Sequence, residues 1–99
     1  MRCVLRIAAD LPECSEDRLP AAVERRVTQA SNLIDHGAVQ RNPTKARKLV
    51  RKAAKALKKG ASRAATAGMK GKLSMACGSA LSGILREGER RAEQLAATL

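Results

Sequence analysis

Apolar residues recur every three or four positions over three stretches of the chain, a spacing typical of amphipathic helices. The first stretch runs from about Pro20 to His36, and Gly37 marks its predicted end. Its apolar positions are Val23, Val27, Ala30, Leu33 and Ile34. The pattern predicts a helix that directs one face toward a core.

The second stretch begins at Asn42, an amide suited to capping, followed by Pro43 in the first turn. It continues to about Lys70, and Gly71 ends it. Gly60 lies inside the stretch. The helix either continues through it or is broken or bent there, since an interior glycine costs on the order of 1 kcal/mol. The apolar positions are Ala46, Leu49, Val50, Ala53, Leu57, Ala61, Ala64 and Ala65.

The third stretch begins with Ser74 as its cap and directs Leu81, Ile84, Leu85, Gly88, Ala92, Leu95 and Leu99 inward. The connections, about 37–42 and 71–74, are short, and short connections make neighbouring helices antiparallel. The sequence therefore predicts an all-α fold, with an up-down-up three-helix bundle over residues 14–99.

Residues 1–13 are predicted to form a short, poorly defined N-terminal arm. Within it Cys3, Leu5, Ile7 and Ala9 alternate with other residues as in a strand. One such segment cannot form a sheet, so a short helix or an extended arm is the expected structure.

The chain of 99 residues has no Phe, Tyr or Trp, and its hydrophobic residues are mostly Ala and Leu. This composition argues against β-sandwiches and barrels, which use aromatic and β-branched residues. It also excludes proteins that stack single-stranded bases on aromatic rings. No apolar run approaches the roughly 18 residues of a membrane-spanning helix, so no transmembrane segment is expected. The small side chains predict a thin core that needs further stabilisation.

Catalysis by general acids, bases or nucleophiles requires convergent groups, and the sequence offers few candidates. It contains one histidine, His36, and no Cys-x-x-Cys pair from which a zinc site could be built. We therefore expect no enzyme, and neither catalytic residues, metal ligands, a cofactor nor a small-molecule substrate.

The positive charge is concentrated in one segment. The formal net charge is +11, and residues 43–72 carry eleven basic groups and no acidic group. This asymmetry indicates either a surface for polyanions or a solvated outer helix face. If an anion binds, the expected contacts are the outward groups of the second helix. They are Lys45, Lys48, Arg51, Lys52, Lys55, Lys58, Lys59 and Arg63.

The chain has three cysteines, Cys3, Cys14 and Cys77, and the predicted topology pairs two of them. In an up-down-up bundle the first and third helices begin at the same end, which brings Cys14 and Cys77 together. Their disulfide would contribute about 4 kcal/mol in the chain-entropy model and would imply an oxidising compartment. The alternative is free thiols in a cytoplasmic protein. An unpaired Cys3 favours a Cys3-linked dimer or a chain that is a fragment.

Two stretches of the chain and the cysteine before the first helix resemble a known module. The stretches are KARKLVRKAAKALKK at 45–59 and KGKLSMACGSAL at 70–81. The module is the Lys/Ala-rich helical domain at the C-terminal end of exported bacterial proteins. In the second stretch Ser74, Ala76, Cys77, Ala80 and Leu81 match that family, whereas Met75 replaces its usual Pro. The resemblance covers residues 14–97. It implies a three-helix bundle, a Cys14–Cys77 bridge and export within a larger polypeptide, and it implies no catalytic activity.

The chain also resembles the small basic three-helix proteins of the ribosomal small subunit in length, charge and lack of aromatic residues. Those proteins carry basic residues on their first and last helices too, whereas residues 1–42 here are close to neutral.

The sequence therefore favours a non-enzymatic basic module of an exported bacterial protein. We expect it to stabilise or attach that protein, with its lysine-rich face toward anionic cell-surface polymers or a protein partner. The alternative is an intracellular nucleic-acid-binding protein, ribosomal or chromosomal, that contacts phosphates without sequence specificity.

Overall fold

The computed structural model describes residues 5–7, 11–15 and 17–99, and these residues form an all-α fold without a strand. A 3-10 helix spans Pro12–Cys14, and three long helices follow: α1 (Ala21–Val39), α2 (Pro43–Met69) and α3 (Met75–Thr98). The predicted fold class is confirmed as an all-α helical bundle. The predicted count of three helices is not confirmed, because the 3-10 helix makes four.

The predicted end of α1 at Gly37 is wrong, because the helix continues to Val39. Gly37 is buried inside the helix, and a Cβ atom there would lie 3.3 Å from Val50 Cγ2. The glycine thus allows α1 to pack closely against the start of α2, and this tertiary contact outweighs the poor helix propensity of glycine.

α2 begins and ends where its capping residues predict. The Asn42 side chain accepts hydrogen bonds from the backbone N–H groups of Thr44 (2.9 Å) and Lys45 (3.4 Å). Beyond Met69, Gly71 has a φ of 76°, and the Lys72 N–H donates to the Ala67 carbonyl at 2.9 Å. This is a Schellman turn, which requires a residue that tolerates positive φ.

Gly60 neither ends α2 nor interrupts it. A Cβ atom at this position would lie 3.3 Å from Arg26 Cβ and 3.4 Å from Leu85 Cδ1. Gly60 therefore lies where all three long helices approach one another.

α2 packs against both of the other long helices and runs in the opposite direction to each of them. Gly60 of α2 faces Arg26 near the start of α1, whereas Val50 faces Gly37 near its end. On the other side, Gly68 faces Gly78 near the start of α3, and Arg47 donates a hydrogen bond to the carbonyl of Leu99. Each pair of neighbours is thus antiparallel.

The core consists mainly of alanine and leucine, as the composition predicts. Its largest fully buried side chains are Leu57, Leu81, Leu85, Val23 and Cys77. Two positions predicted to point inward do not: Leu95 in α3 is 40% exposed, and Leu99, just after the helix, is 37% exposed. Leu5, in the predicted N-terminal arm, is buried in the main core.

None of the helices in the described part of the chain combines the length and the apolar character needed to cross a bilayer.

Candidate anion-binding face and disulfide clamp

All eight predicted anion contacts lie on the outer surface of α2, and every one of these side chains is exposed. We call this set the basic face. It comprises Lys45, Lys48, Arg51, Lys52, Lys55, Lys58, Lys59 and Arg63. Because α2 is continuous across Gly60, these cations follow one uninterrupted helix of 27 residues, roughly 40 Å at 1.5 Å per residue.

Four of these cations also line a groove between α1 and α2, which we call the α1–α2 groove. Its volume is about 540 Å³. Its lining residues are Lys55, Lys58, Lys59 and Arg63 from the basic face, together with Ser62 and Arg26. None of these lining residues is acidic, so the positive charge of the groove is uncompensated within it.

A second groove, the α2–α3 groove, lies on the other side of α2 and has a volume of about 330 Å³. Its lining residues are Arg51, Ala54, Lys55, Lys58, Glu89 and Glu93. The two glutamates come from α3 and bring negative charge to the same groove as the three cations. The remaining members of the basic face, Lys45, Lys48 and Lys52, line neither groove.

Three of the other charges of α3, on Glu87, Arg90 and Arg91, are paired within that helix. The Glu87 carboxylate accepts hydrogen bonds from Arg91 Nε at 3.0 Å and from Arg90. The hydrogen bond from Arg91, reinforced by Arg90, holds the pKa of Glu87 below its ordinary value. Two of the three arginines of α3 thus share the charge of Glu87, and with Glu89 and Glu93 the helix is formally neutral, so it adds little to the positive surface.

Sequence reasoning missed Arg26 and Ser62 as members of the groove. Arg26 belongs to the nearly neutral segment 21–42, so charge counting gives no reason to select it. Ser62 lies on the outer side of α2 at helical spacing from Lys55 and Lys59, and this spacing is the signal that could have identified it.

Cys14 and Cys77 lie at disulfide distance, as predicted, and their Cα atoms are 4.8 Å apart. Cys14 ends the 3-10 helix, and Cys77 is fully buried in the first turn of α3. The pair thus connects the segment before α1 to the beginning of α3. Cys3, the cysteine predicted to link two chains, lies outside the described residues.

Ser74 and Asp17 add polar contacts beside this cysteine pair. Ser74 Oγ accepts a hydrogen bond from the Cys77 N–H at 3.1 Å and donates one to Asp17 Oδ2 at 2.8 Å. The predicted cap of α3 is therefore present, and it is tied to the segment that follows Cys14. We call these four residues the clamp.

The clamp brings three metal-ligating side chains together, since the ligand atoms of Cys14, Asp17 and Cys77 lie within 4.8 Å of one another. A thiolate, not a disulfide sulfur, is the cysteine form that binds metals. With the two sulfurs bonded to each other, Asp17 is left as the one remaining ligand, and its carboxylate already accepts the Ser74 hydrogen bond. The oxidised clamp is thus a structural crosslink.

Comparison of the chain with protein-family models, curated proteins and solved structures finds no match. The resemblances to the module of exported proteins and to ribosomal proteins therefore stay predictions from the sequence.

Proposed function

We propose that this protein is a non-enzymatic, disulfide-clamped helical module of an exported bacterial protein. It stabilises or attaches that protein by binding polyanions of the cell surface through the basic face. Its working unit is an up-down-up bundle of α1, α2 and α3.

The observation that carries this proposal is the arrangement of charge on α2. Eight cations are exposed along one continuous helix, and residues 43–72 contain no acidic residue. A solvated helix without a ligand is usually stabilised by alternating charges that pair at positions i and i+4. α2 has no such compensation within itself, and repulsion between its cations is relieved when a polyanion binds.

The expected mechanism is electrostatic. Lysine provides a mobile point charge rather than a fixed fork, and six of the eight cations of the basic face are lysines. Binding to phosphate or carboxylate polymers would release their condensed counterions, so affinity would fall steeply as salt concentration rises. Such a face distinguishes ligands by charge density and not by monomer sequence.

Export is supported by the clamp, because a thin core gains much from a long-range crosslink and disulfides persist in oxidising compartments.

A salt titration of polymer binding tests the function. The full chain is titrated with linear polyphosphate, poly-glutamate and duplex DNA, and the apparent Kd is measured against salt concentration. K48Q/K55Q/K59Q is expected to weaken polyphosphate binding by about tenfold or more and to reduce the log–log salt slope.

The matched control is R25Q/R41Q/R86Q, which also removes three exposed positive charges but none from the basic face. It should change the affinity far less. Equal weakening in both variants would show that net charge alone drives binding, which contradicts a dedicated face. Binding to duplex DNA at least tenfold tighter than to polyphosphate of equal charge would favour the intracellular nucleic-acid-binding alternative.

A further inference from the structure

The composition of the α1–α2 groove differs from that of a lysine-covered helix. Five of its six lining residues are cations, the sixth carries a hydroxyl group, and they come from two helices. A helix face alone offers charges on a convex surface, whereas this groove is concave and presents donors from both of its walls.

Resting on the proposed polyanion binding, we propose that the α1–α2 groove is a discrete site for a tetrahedral oxyanion. The occupant is the terminal phosphate group of a phosphate-bearing polymer. Arg26 and Arg63 supply guanidinium donors, Lys59 supplies an ammonium group, and Ser62 supplies a hydroxyl donor.

Arg26 is held in place more firmly than the cations of the basic face, all of which are exposed. Its side chain is half-buried. Its Cβ atom lies next to Gly60, 3.3 Å from the position that a Cβ atom at residue 60 would occupy. Its Nη1 atom donates a hydrogen bond to Gln29 Oε1 at 3.1 Å, which orients the guanidinium group along α1. An arginine that is already ordered loses less conformational entropy when it binds a ligand.

A phosphate group matches these donors better than a carboxylate group does. A carboxylate presents two oxygen atoms and one negative charge, whereas a terminal phosphate presents three free oxygens and up to two charges. Donors on opposite walls of a groove can reach different oxygens of a tetrahedral group. The volume of about 540 Å³ also leaves room for the part of the polymer next to its terminal phosphate.

The α2–α3 groove provides an internal contrast. It shares Lys55 and Lys58 with the α1–α2 groove, but Glu89 and Glu93 replace the arginine on the opposite wall. These carboxylates would repel a phosphate group. The anion is therefore directed to one side of α2.

The experiment compares two adjacent arginines of α1. R26Q removes a lining residue of the groove, while R25Q removes the same charge from an exposed position that lines a different surface depression, beside Glu24 and His36. Binding of inorganic phosphate, sulfate and acetate to the full chain is measured by calorimetry and by amide NMR shifts.

R26Q is expected to weaken phosphate binding by about tenfold, the effect of one charge-assisted hydrogen bond, and R25Q by less than about twofold. Phosphate should shift the amide signals around Arg26, Ser62 and Arg63. R26K, which keeps the charge and the packed stem, should fall between R26Q and the unmodified protein. It keeps the test valid if R26Q disturbs the packing against Gly60.

Equal weakening by R26Q and R25Q would overturn the site, as would shifts centred on Glu89 and Glu93. A polymer titration separates this failure from failure of the proposed function. If polyphosphate binds but is insensitive to R26Q, the site is wrong and the basic face stands. If neither polyphosphate nor poly-glutamate binds, the proposed function itself is wrong. Phosphate binding without polyphosphate binding would show that the groove is closed to a polymer and overturn the proposed occupant.

Discussion

The two sides of α2 use the same cations differently. On the α1 side, Arg26 joins four residues of the basic face, and the groove is uniformly positive. On the α3 side, Glu89 and Glu93 face three cations, and the remaining charges of α3 are largely paired around Glu87. The charge of a groove beside a basic helix therefore depends on which neighbouring helix forms its other wall.

The same two sides also differ in how closely the helices approach. A Cβ atom at Gly78 of α3 would lie 2.9 Å from Gly68 Cα and 3.2 Å from the Ala64 carbonyl oxygen, so these helices meet backbone to backbone. On the α1 side the contact at Gly60 involves the side chain of Arg26. The α3 side is thus a tight backbone contact, and the α1 side at Gly60 is built around a side chain that reaches a groove.

The largest expected effect comes from breaking the Cys14–Cys77 crosslink, which holds the start of α3 to the segment before α1. Replacing Cys14 and Cys77 by serine should lower the free energy of unfolding by about 4 kcal/mol, because the disulfide closes a long loop and restricts the unfolded chain. Urea unfolding checks this. The protein with the Cys14–Cys77 pair and the variant without it both carry C3S, so that a free thiol does not interfere.

A thiol titration under denaturing, non-reducing conditions accompanies this measurement. Protein from its native compartment should show two fewer reactive thiols than the number of its cysteines. Three reactive thiols would contradict both the bridge and export. An unchanged unfolding free energy in the double variant would show that the bridge does not stabilise the bundle.

A smaller loss of stability is expected when a side chain is added at the close contact between α2 and α3. G78A should destabilise the protein by about 1–3 kcal/mol, since the added Cβ atom meets backbone that cannot move aside. The matched control is G83A in the same helix, where a Cβ atom meets nothing within 4 Å. That change should stabilise the protein by about 0.5–1 kcal/mol through helix propensity.

Thermal and urea unfolding of G78A and G83A measure both effects. If G78A were neutral or stabilising, the two helices would be farther apart than the backbone contact between Gly68 and Gly78 indicates.

The smallest effect is expected when the electrostatic difference between the two grooves is removed. E89Q/E93Q should raise polyphosphate affinity at low salt by about three- to tenfold, because each partly exposed charge contributes under about 1 kcal/mol. E13Q/E24Q removes two exposed carboxylates that line neither groove and is the matched control. A similar gain in both variants would show that the α2–α3 groove has no particular role in excluding anions.

Helix identity was largely predictable from local signals. Asn42 and Ser74 cap helices as predicted, and Gly71 ends α2 because its positive φ suits glycine. Gly37 was misread as a helix end because a glycine required for close packing looks the same in sequence as a glycine that ends a helix. Leu95 and Leu99 were misread because periodicity does not show where the partner helix stops covering a face.

Local propensity and helical spacing were enough to predict the helices and the charged face of α2. The order of the short connections was enough to predict the pairing of Cys14 with Cys77. Which side of α2 carries uncompensated positive charge could be seen only in the folded chain. It depends on Arg26, Glu89 and Glu93, because packing at Gly60, Gly68 and Gly78 brings residues that are distant in the sequence against α2.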